Sequence, residues 1–286
     1  MKKAEVVPVY LQAPFCLLFL SALLFRSVSA DDQVTYLQSY CSENGHYDQG
    51  SKYGNNLDLV LYNLTSKSST DKFCNFTTGE KSNKVYGLFL CNNVYTNLVC
   101  QRCIMLAAGE IQRRCPSSVE AAVWYIECML RYANYSILSK NDMSIFYNLQ
   151  GPPSEYSQFN QQLSETFISL SSLAATGNSS LMSATSDIQV TRDITMSCYV
   201  DCTPDLTPSD CHNCLQSALG RLQLVGSQTG VLLQLSCRLM YAFLNAGSIS
   251  PGQRIKLIPF SSFLNLNSVL ICSVCCYLLF FLGGGG

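Results

Sequence analysis

Apolar residues fall along this chain in a repeating pattern of helix-like and strand-like stretches. Residues 56–69, "NLDLVLYNLTSKSS", place apolar side chains at 57, 59, 60, 61 and 64, a helical stripe. Residues 96–115 carry Leu98, Val99, Cys103, Leu106, Ala107 and Ile111 at helical spacing, with Thr96 or Asn97 as the cap. "KVYGLFLC" (84–91) and "EAAVWYIECMLRYAN" (120–134) are rich in β-branched and aromatic residues and predict strands. In the second half, "YSQFNQQLSETFISLSSLAA" (156–175) and "PSDCHNCLQSALGRLQ" (208–223) predict two more helices. The order helix, strand, helix, strands predicts an α+β module with helices on one face of an antiparallel sheet.

Each end of the chain carries a long apolar run. Lys2 and Lys3 precede an apolar run from Ala13 to Phe25, and "VSA" ends at Ala30 before Asp31 and Asp32. This pattern predicts a secretory signal peptide over 1–30, with an N-terminal membrane anchor as the alternative. From Leu257 to Leu282 there is no charge, enough to span a bilayer. A transmembrane segment is assigned to 263–282 and a juxtamembrane linker to 246–262. Arg254 and Lys256 lie on what would be the outer flank, against the positive-inside tendency. A removable glycolipid-anchor signal and a truncated product therefore stay open beside the membrane anchor. Four N-x-S/T sequons, at Asn63, Asn75, Asn134 and Asn178, mark candidate glycan positions in a secreted chain.

Composition narrows the function. The 286 residues hold 18 Lys+Arg against 19 Asp+Glu, so the basic face of a nucleic-acid binder is not expected. Twelve cysteines lie between the apolar ends, at 41, 74, 91, 100, 103, 115, 128, 198, 202, 211, 214 and 237. Cys91, Cys100 and Cys103 recur as Cys202, Cys211 and Cys214, each displaced by 111 residues, and Cys128 recurs as Cys237. "CMLRY" at 128–132 is echoed by "CRLMY" at 237–241. The chain thus holds two copies of one module. We place module 1 at 35–138, a linker at 139–154 around Gly151-Pro152-Pro153, and module 2 at 155–245.

Each C-x8-C-x2-C group could serve zinc, redox chemistry or disulfide stapling. Two C-x2-C pairs could form a four-thiolate zinc site, but they lie in separate copies. A redox pair needs its two thiols free for each other, and here each copy offers further partners. Stapling suits small secreted modules and is favoured. His46 and His212 have no triad or metal-site context. Glu110, Glu120 and Glu127 read as solvated faces or strand edges, and at least one of Trp124 and Tyr125 reads as core. No enzyme and no cofactor is expected.

The spacing Cys91-x8-Cys100-x2-Cys103-x11-Cys115-x12-Cys128, with Cys41 upstream, resembles the plant stress-antifungal, or ginkbilobin-type, domain. "KVYGLFLC", "RRCP", "WYIECMLRYAN" and "CTPDLTPSDCHNCL" resemble its surrounding text in the two copies. Tandem copies occur in cysteine-rich repeat secretory proteins, plasmodesmata-located proteins and ectodomains of cysteine-rich receptor-like kinases. The resemblance implies two helices packed on a five-stranded antiparallel sheet in each module. It implies the bridges Cys41–Cys115, Cys91–Cys100, Cys103–Cys128, Cys202–Cys211 and Cys214–Cys237. Cys74 and Cys198 are left over, either to pair with each other or to stay free for an intermolecular bond. The single-module ginkgo relative binds mannose, but the positions matching its sugar clamp are Ser42, Ala122 and Ala133, with Val231 and Ala242 in the second copy. That mode of sugar binding is therefore not expected. The implied function is non-enzymatic recognition at the plant cell surface, with plasmodesmata as one address. The partner would be an extracellular protein or cell-wall glycan, and the C-terminal segment would contact the membrane. A carbohydrate-binding antifungal protein, or a receptor ectodomain lacking its kinase, is the alternative.

Overall fold

The computed structural model describes residues 34–245, apart from 145, 154, 177–180 and 223–225. The segments read as signal peptide, juxtamembrane linker and transmembrane segment lie outside the described residues, as does Asn178.

Module 1 runs β1 (Tyr36–Cys41), α1 (Lys52–Lys67), β2 (Phe73–Thr78), β3 (Val85–Cys91), α2 (Asn97–Arg114), β4 (Ala121–Tyr125) and β5 (Cys128–Ala133). Module 2 repeats this order as β6 (Phe146–Gln150), α3 (Asn160–Ala175), β7 (Ser183–Gln189), β8 (Ile194–Cys202), α4 (Pro208–Gly220), β9 (Thr229–Gln234) and β10 (Cys237–Asn245). The sheets are antiparallel, in the orders β1-β4-β5-β3-β2 and β6-β9-β10-β8-β7. The sheet of module 2 begins at Phe146, inside the stretch assigned as linker. Gly151-Pro152-Pro153 breaks the chain after this strand rather than before it, because β6 is already paired with β9.

Local chemistry sets the helix starts. Ser51 caps α1 by accepting from Gly54 N at 3.2 Å. Thr96 caps α2 and Thr207 caps α4, each accepting from the amide three residues on, at 3.3 and 3.1 Å. Pro208 occupies the first turn of α4, where a missing N–H costs nothing. Helix α1 buries Leu57, Val60, Leu61 and Leu64 against its sheet. A Cβ at Gly87 would lie 2.4 Å from Val60 Cγ1, so the close approach of α1 to β3 requires glycine there.

The strands explain how the modules join. Along β3, β4 and β5, Val85, Phe89, Val123, Tyr125, Leu130 and Tyr132 face the helices of module 1. The alternate residues Leu88, Leu90, Ala122, Trp124, Met129 and Ala133 enter a different core, shared with Tyr199, Val231, Leu233, Met240, Ala242 and Leu244 of module 2. A period of two sends successive side chains to opposite faces. The two sheets pack on each other through their helix-free faces, giving layers of helix, sheet, sheet and helix. Every residue of β5 is buried, because both of its faces are covered. Its apolar positions run without alternation, as expected for a strand with no solvated face.

Candidate functional site

The cysteines form covalent ties between helices and strands. Cys91–Cys100 and Cys202–Cys211 join the end of β3 or β8 to the first turn of the following helix, each with Cα atoms 5.6 Å apart. Cys103–Cys128 and Cys214–Cys237 tie that same helix to β5 or β10 at 6.1 Å. Cys41–Cys115 joins the end of β1 to the end of α2 at 5.3 Å. All these separations suit a disulfide. Cys74 and Cys198 are free. Cys74 packs on the helix-side core of module 1 and Cys198 is buried in the helix-side core of module 2. Both sheets lie between them, so the leftover thiols do not tie the modules together. Burial pushes both thiols up in pKa, and neither is poised as a thiolate.

Besides apolar contact, hydrogen bonds built around a buried ion pair of module 2 cross to module 1. Arg238 on β10 is 1% exposed. Its Nε donates to both carboxylate oxygens of Asp201 at 2.8 and 2.9 Å, and its Nη2 donates to Asp201 Oδ2 at 2.7 Å. The remaining Nη1 crosses to module 1 and donates to the Tyr125 carbonyl at 3.1 Å. Tyr199 OH donates to Asp201 at 2.9 Å and accepts from the Asn93 amide of module 1 at 3.2 Å. The pair is thus hydrogen-bonded on several sides, as buried charges require. Glu127, at the turn between β4 and β5, accepts from the Thr35 amide at 2.9 Å. Burial raises its pKa to about 7, with Arg238 and the Thr35 amide pulling the other way.

Arg131 on β5 builds the corresponding cluster near the linker. It donates to Asp142 at 2.7 Å, to Tyr135 OH at 3.2 Å and to Glu120 at 3.3 Å. Tyr135 OH in turn donates to Glu120 at 2.5 Å. The expectation of solvated faces for the three glutamates holds for Glu110 alone among them. Glu110 sits on the surface of α2 with Arg113 and Arg114, whose hydrogen bonds and charge lower its pKa. Glu120 and Glu127 are buried, Glu120 within the Arg131–Tyr135 cluster beside the linker and Glu127 at a hairpin tip that feels Arg238 of the second sheet. The three do not converge on one site. Sequence reading passed over Arg131 and Arg238. Their signal was a single arginine inside each apolar strand, at swapped positions of "CMLRY" and "CRLMY".

The remaining candidates are spread over the molecule. Trp124 and Tyr125 are both core: Trp124 packs edge-on to Tyr147 of module 2 at 5.9 Å, and Tyr125 faces the helices. His46 lies in an exposed bridge to Ser118, and His212 lies on α4. Among the described residues no group of His, Cys, Asp and Glu is placed to hold a metal ion. Asn75 and Asn134 are exposed, whereas the Asn63 amide donates to the Leu59 carbonyl within α1 at 2.8 Å. Ser42, Ala122, Ala133, Val231 and Ala242, which match the sugar clamp, are all buried, the last four beneath the opposite module. No sugar reaches them. Two hollows remain. One of about 460 Å³ is lined by Tyr135 and the linker residues 140–144. The other, about 580 Å³, lies between Asn93-Val94 of module 1 and Thr185–Asp187 of β7.

Fold and staples together define two tandem, disulfide-bonded α+β modules, each with a five-stranded sheet. The family model for "Salt stress response/antifungal" matches residues 40–135 and 148–243, and the chain belongs to that family. The tandem ectodomain of the cysteine-rich receptor-like protein PDLP8 from Arabidopsis thaliana has a similar structure, with a TM-score of 0.64 and 25% identity, over 73% of this chain and 98% of that one. Cysteine-rich receptor-like protein kinase 25 of Arabidopsis thaliana is 36% identical over 208 residues, 70% of this chain and 30% of the kinase. Cysteine-rich repeat secretory protein 1 of the same plant is 31% identical over 78% of this chain and 66% of its own length. The chain therefore spans about a third of that kinase and just under two thirds of that secretory protein.

Proposed function

We propose that this chain is a non-enzymatic recognition or adhesion protein of the plant cell surface. Both modules face the outside and the C-terminal segment holds them at the membrane. It acts at plasmodesmata, in cell-to-cell trafficking or defence signalling, by engaging an extracellular partner. The observation that carries this reading is how the chemistry-bearing residues are used. Ten cysteines are spent on bridges, and the buried arginines and their acids hold sheets and linker together. What the molecule offers a partner is surface. Burial of the clamp positions favours a protein partner over a sugar held in the ginkgo manner. The resemblance to the PDLP8 ectodomain over nearly all of its length supports the plasmodesmal address.

A fluorescent fusion of the full chain in leaf epidermal cells tests this. Puncta on the wall that coincide with callose are expected. Uniform plasma-membrane signal would remove the plasmodesmal address, and release into the medium would favour a secreted protein. A second reading, an ectodomain related to the receptor-like kinases, draws on the 36% identity to kinase 25.

A further inference from the structure

Each sheet has two edge strands, and two of the four edges are blunted, those of β1 and β6. Strand β1 carries an irregularity between Tyr36 and Gln38. Strand β2 is six residues long and regular in register, with a sequon at Asn75. Strand β6 is five residues long and runs into Gly151-Pro152-Pro153. Bulges, short length and proline are the usual guards of an open edge. Strand β7, "SATSDIQ", has none of these, and unlike β2 it presents a charge, Asp187, beside a cleft. It is seven residues long, regular in register from Ser183 to Gln189, and free of proline and lysine.

Its pairing fixes which backbone groups are open. Cys202 N donates to Met182 O at 3.0 Å and Val190 N to Ile194 O at 3.0 Å. In an antiparallel ladder the bonded pairs alternate, so Ala184, Ser186 and Ile188 bond β8. The N–H and C=O of Thr185, Asp187 and Gln189 point away from the sheet. The side chains of Thr185 and Asp187 lie on the face toward module 1, since their partners are Tyr199 and Ser197. There β7 borders the 580 Å³ cleft closed by Asn93 and Val94. Asp187 accepts from Ser197 Oγ at 2.5 Å and forms no ion pair among the described residues.

We propose that β7 is a strand-addition site for an extended peptide segment of an extracellular protein. The segment pairs with Thr185, Asp187 and Gln189, drops alternate side chains into the inter-module cleft, and carries a lysine or arginine beside Asp187. Main-chain bonds give affinity in this mode and side-chain pockets give specificity. The proposal rests on the recognition reading above and names the kind of partner.

The test uses the secreted two-module protein and two synthetic peptides, Ser-Thr-Val-Lys-Val-Thr-Ser and its Lys→Glu counterpart. The lysine peptide is expected to bind and to slow amide exchange at Thr185, Asp187 and Gln189. It should bind up to about fivefold more tightly than the glutamate peptide, the upper end of the range of a cross-strand charge pair. Asp187→Lys should invert that preference. Asp187→Pro should abolish binding without unfolding the protein, because the lost N–H serves no ladder bond; Thr185→Pro serves as its replicate. The edge proposal is overturned if neither peptide binds, if protection falls on another element, or if β7 becomes protected by self-association in the absence of peptide. Protection on another element would leave the recognition reading standing. The imaging experiment above tests that reading separately.

Discussion

The two modules share one topology and differ in how they close it. In module 1 the end of β1 is bonded covalently to the end of α2 through Cys41–Cys115. Module 2 lacks both cysteines. At the corresponding place Gln150, ending β6, accepts from Ser227 Oγ and from Tyr241 OH, the latter at 3.0 Å. The chain is held there as well by Gly151 N to Thr229 O at 2.8 Å and Gln228 N to Pro152 O at 3.0 Å. A covalent tie and a hydrogen-bonded one thus hold the same crossing. A disulfide acts largely on the unfolded chain, while the polar cluster acts on the folded one. Module 1 is expected to be the more robust partner, with module 2 depending more on the shared core.

The largest expected effect breaks that dependence at the shared core. Arg238→Met leaves Asp201 buried and unpaired beneath module 1. Removing one member of a buried pair costs about 3–5 kcal/mol. Denaturant unfolding followed by tryptophan fluorescence should register it, because Trp124 lies in the shared core. An unchanged midpoint would mean that water reaches Asp201 and that the interface is looser than the packing indicates. Next in size is the double change Cys41→Ser, Cys115→Ser. The bridge spans a sequence separation of 74, and its loss should cost about 2–4 kcal/mol. Module 1 should then unfold more like module 2. If stability does not fall, the tie is redundant with Tyr132 OH to Ser118 O at 3.0 Å and Ser118 Oγ to Ser42 O at 2.9 Å.

Hairpin tips sharpen the comparison. Glu127 and Ser236 occupy equivalent turns, and each backbone carbonyl accepts from an equivalent amide, Asn92 N at 2.8 Å and Thr203 N at 3.0 Å. Ser236 Oγ accepts from Asp142 N at 2.8 Å and donates to Lys140 O at 3.0 Å, gripping the linker. Glu127 grips Thr35 instead, and burial raises its pKa to about 7. A raised carboxyl pKa favours the protonated form in the folded protein. The stability it contributes is complete below the ordinary glutamate value and is lost as pH rises through about 7. Between pH 5 and pH 8 the protein should lose about 2 kcal/mol from this group, and Glu127→Gln should flatten that slope. A slope unchanged in the variant would place the titration on another group.

Much of the module was legible because its signals are local. Helix stripes, caps at Thr96 and the two strand-rich stretches announce themselves in short windows. The edge strands did not: "YLQSYC", "FCNFTT" and "SATSDIQ" are half-polar, and pairing with a neighbour rather than propensity makes them strands. Strand β6 was hidden by the prolines that follow it. The shared core was hidden for a different reason. Unbroken apolar text such as "AAVWY" says that both faces of a strand are covered, but not by what. Once the second sheet supplies the cover, Ala122, Ala133, Val231 and Ala242 become intelligible as small interface residues, and Arg131 and Arg238 as buried charges with partners.

The finest prediction returns to the crossing where the modules differ. Gln150 Oε1 is the common acceptor for Ser227 and Tyr241, and its Nε2 donates to Asn148 Oδ1 at 2.5 Å. Gln150→Ala removes that acceptor from a buried tyrosine hydroxyl and serine, so about 1–2 kcal/mol should be lost. The cost should fall on module 2 and be read as faster amide exchange in β6 and β9 than in β1 and β4. Burial raises the Tyr241 pKa, with the bond to Ser227 opposing it, so the hydroxyl stays protonated and keeps donating across neutral pH. Gln150→Glu would then retain an acceptor and cost less than Gln150→Ala. If the two variants cost the same, the charge is penalised as heavily as the missing bond, and the crossing is drier than that of module 1. If Gln150→Ala costs nothing, the main-chain bonds at Gly151 and Gln228 suffice, and the loss of the disulfide from module 2 needed no side-chain replacement.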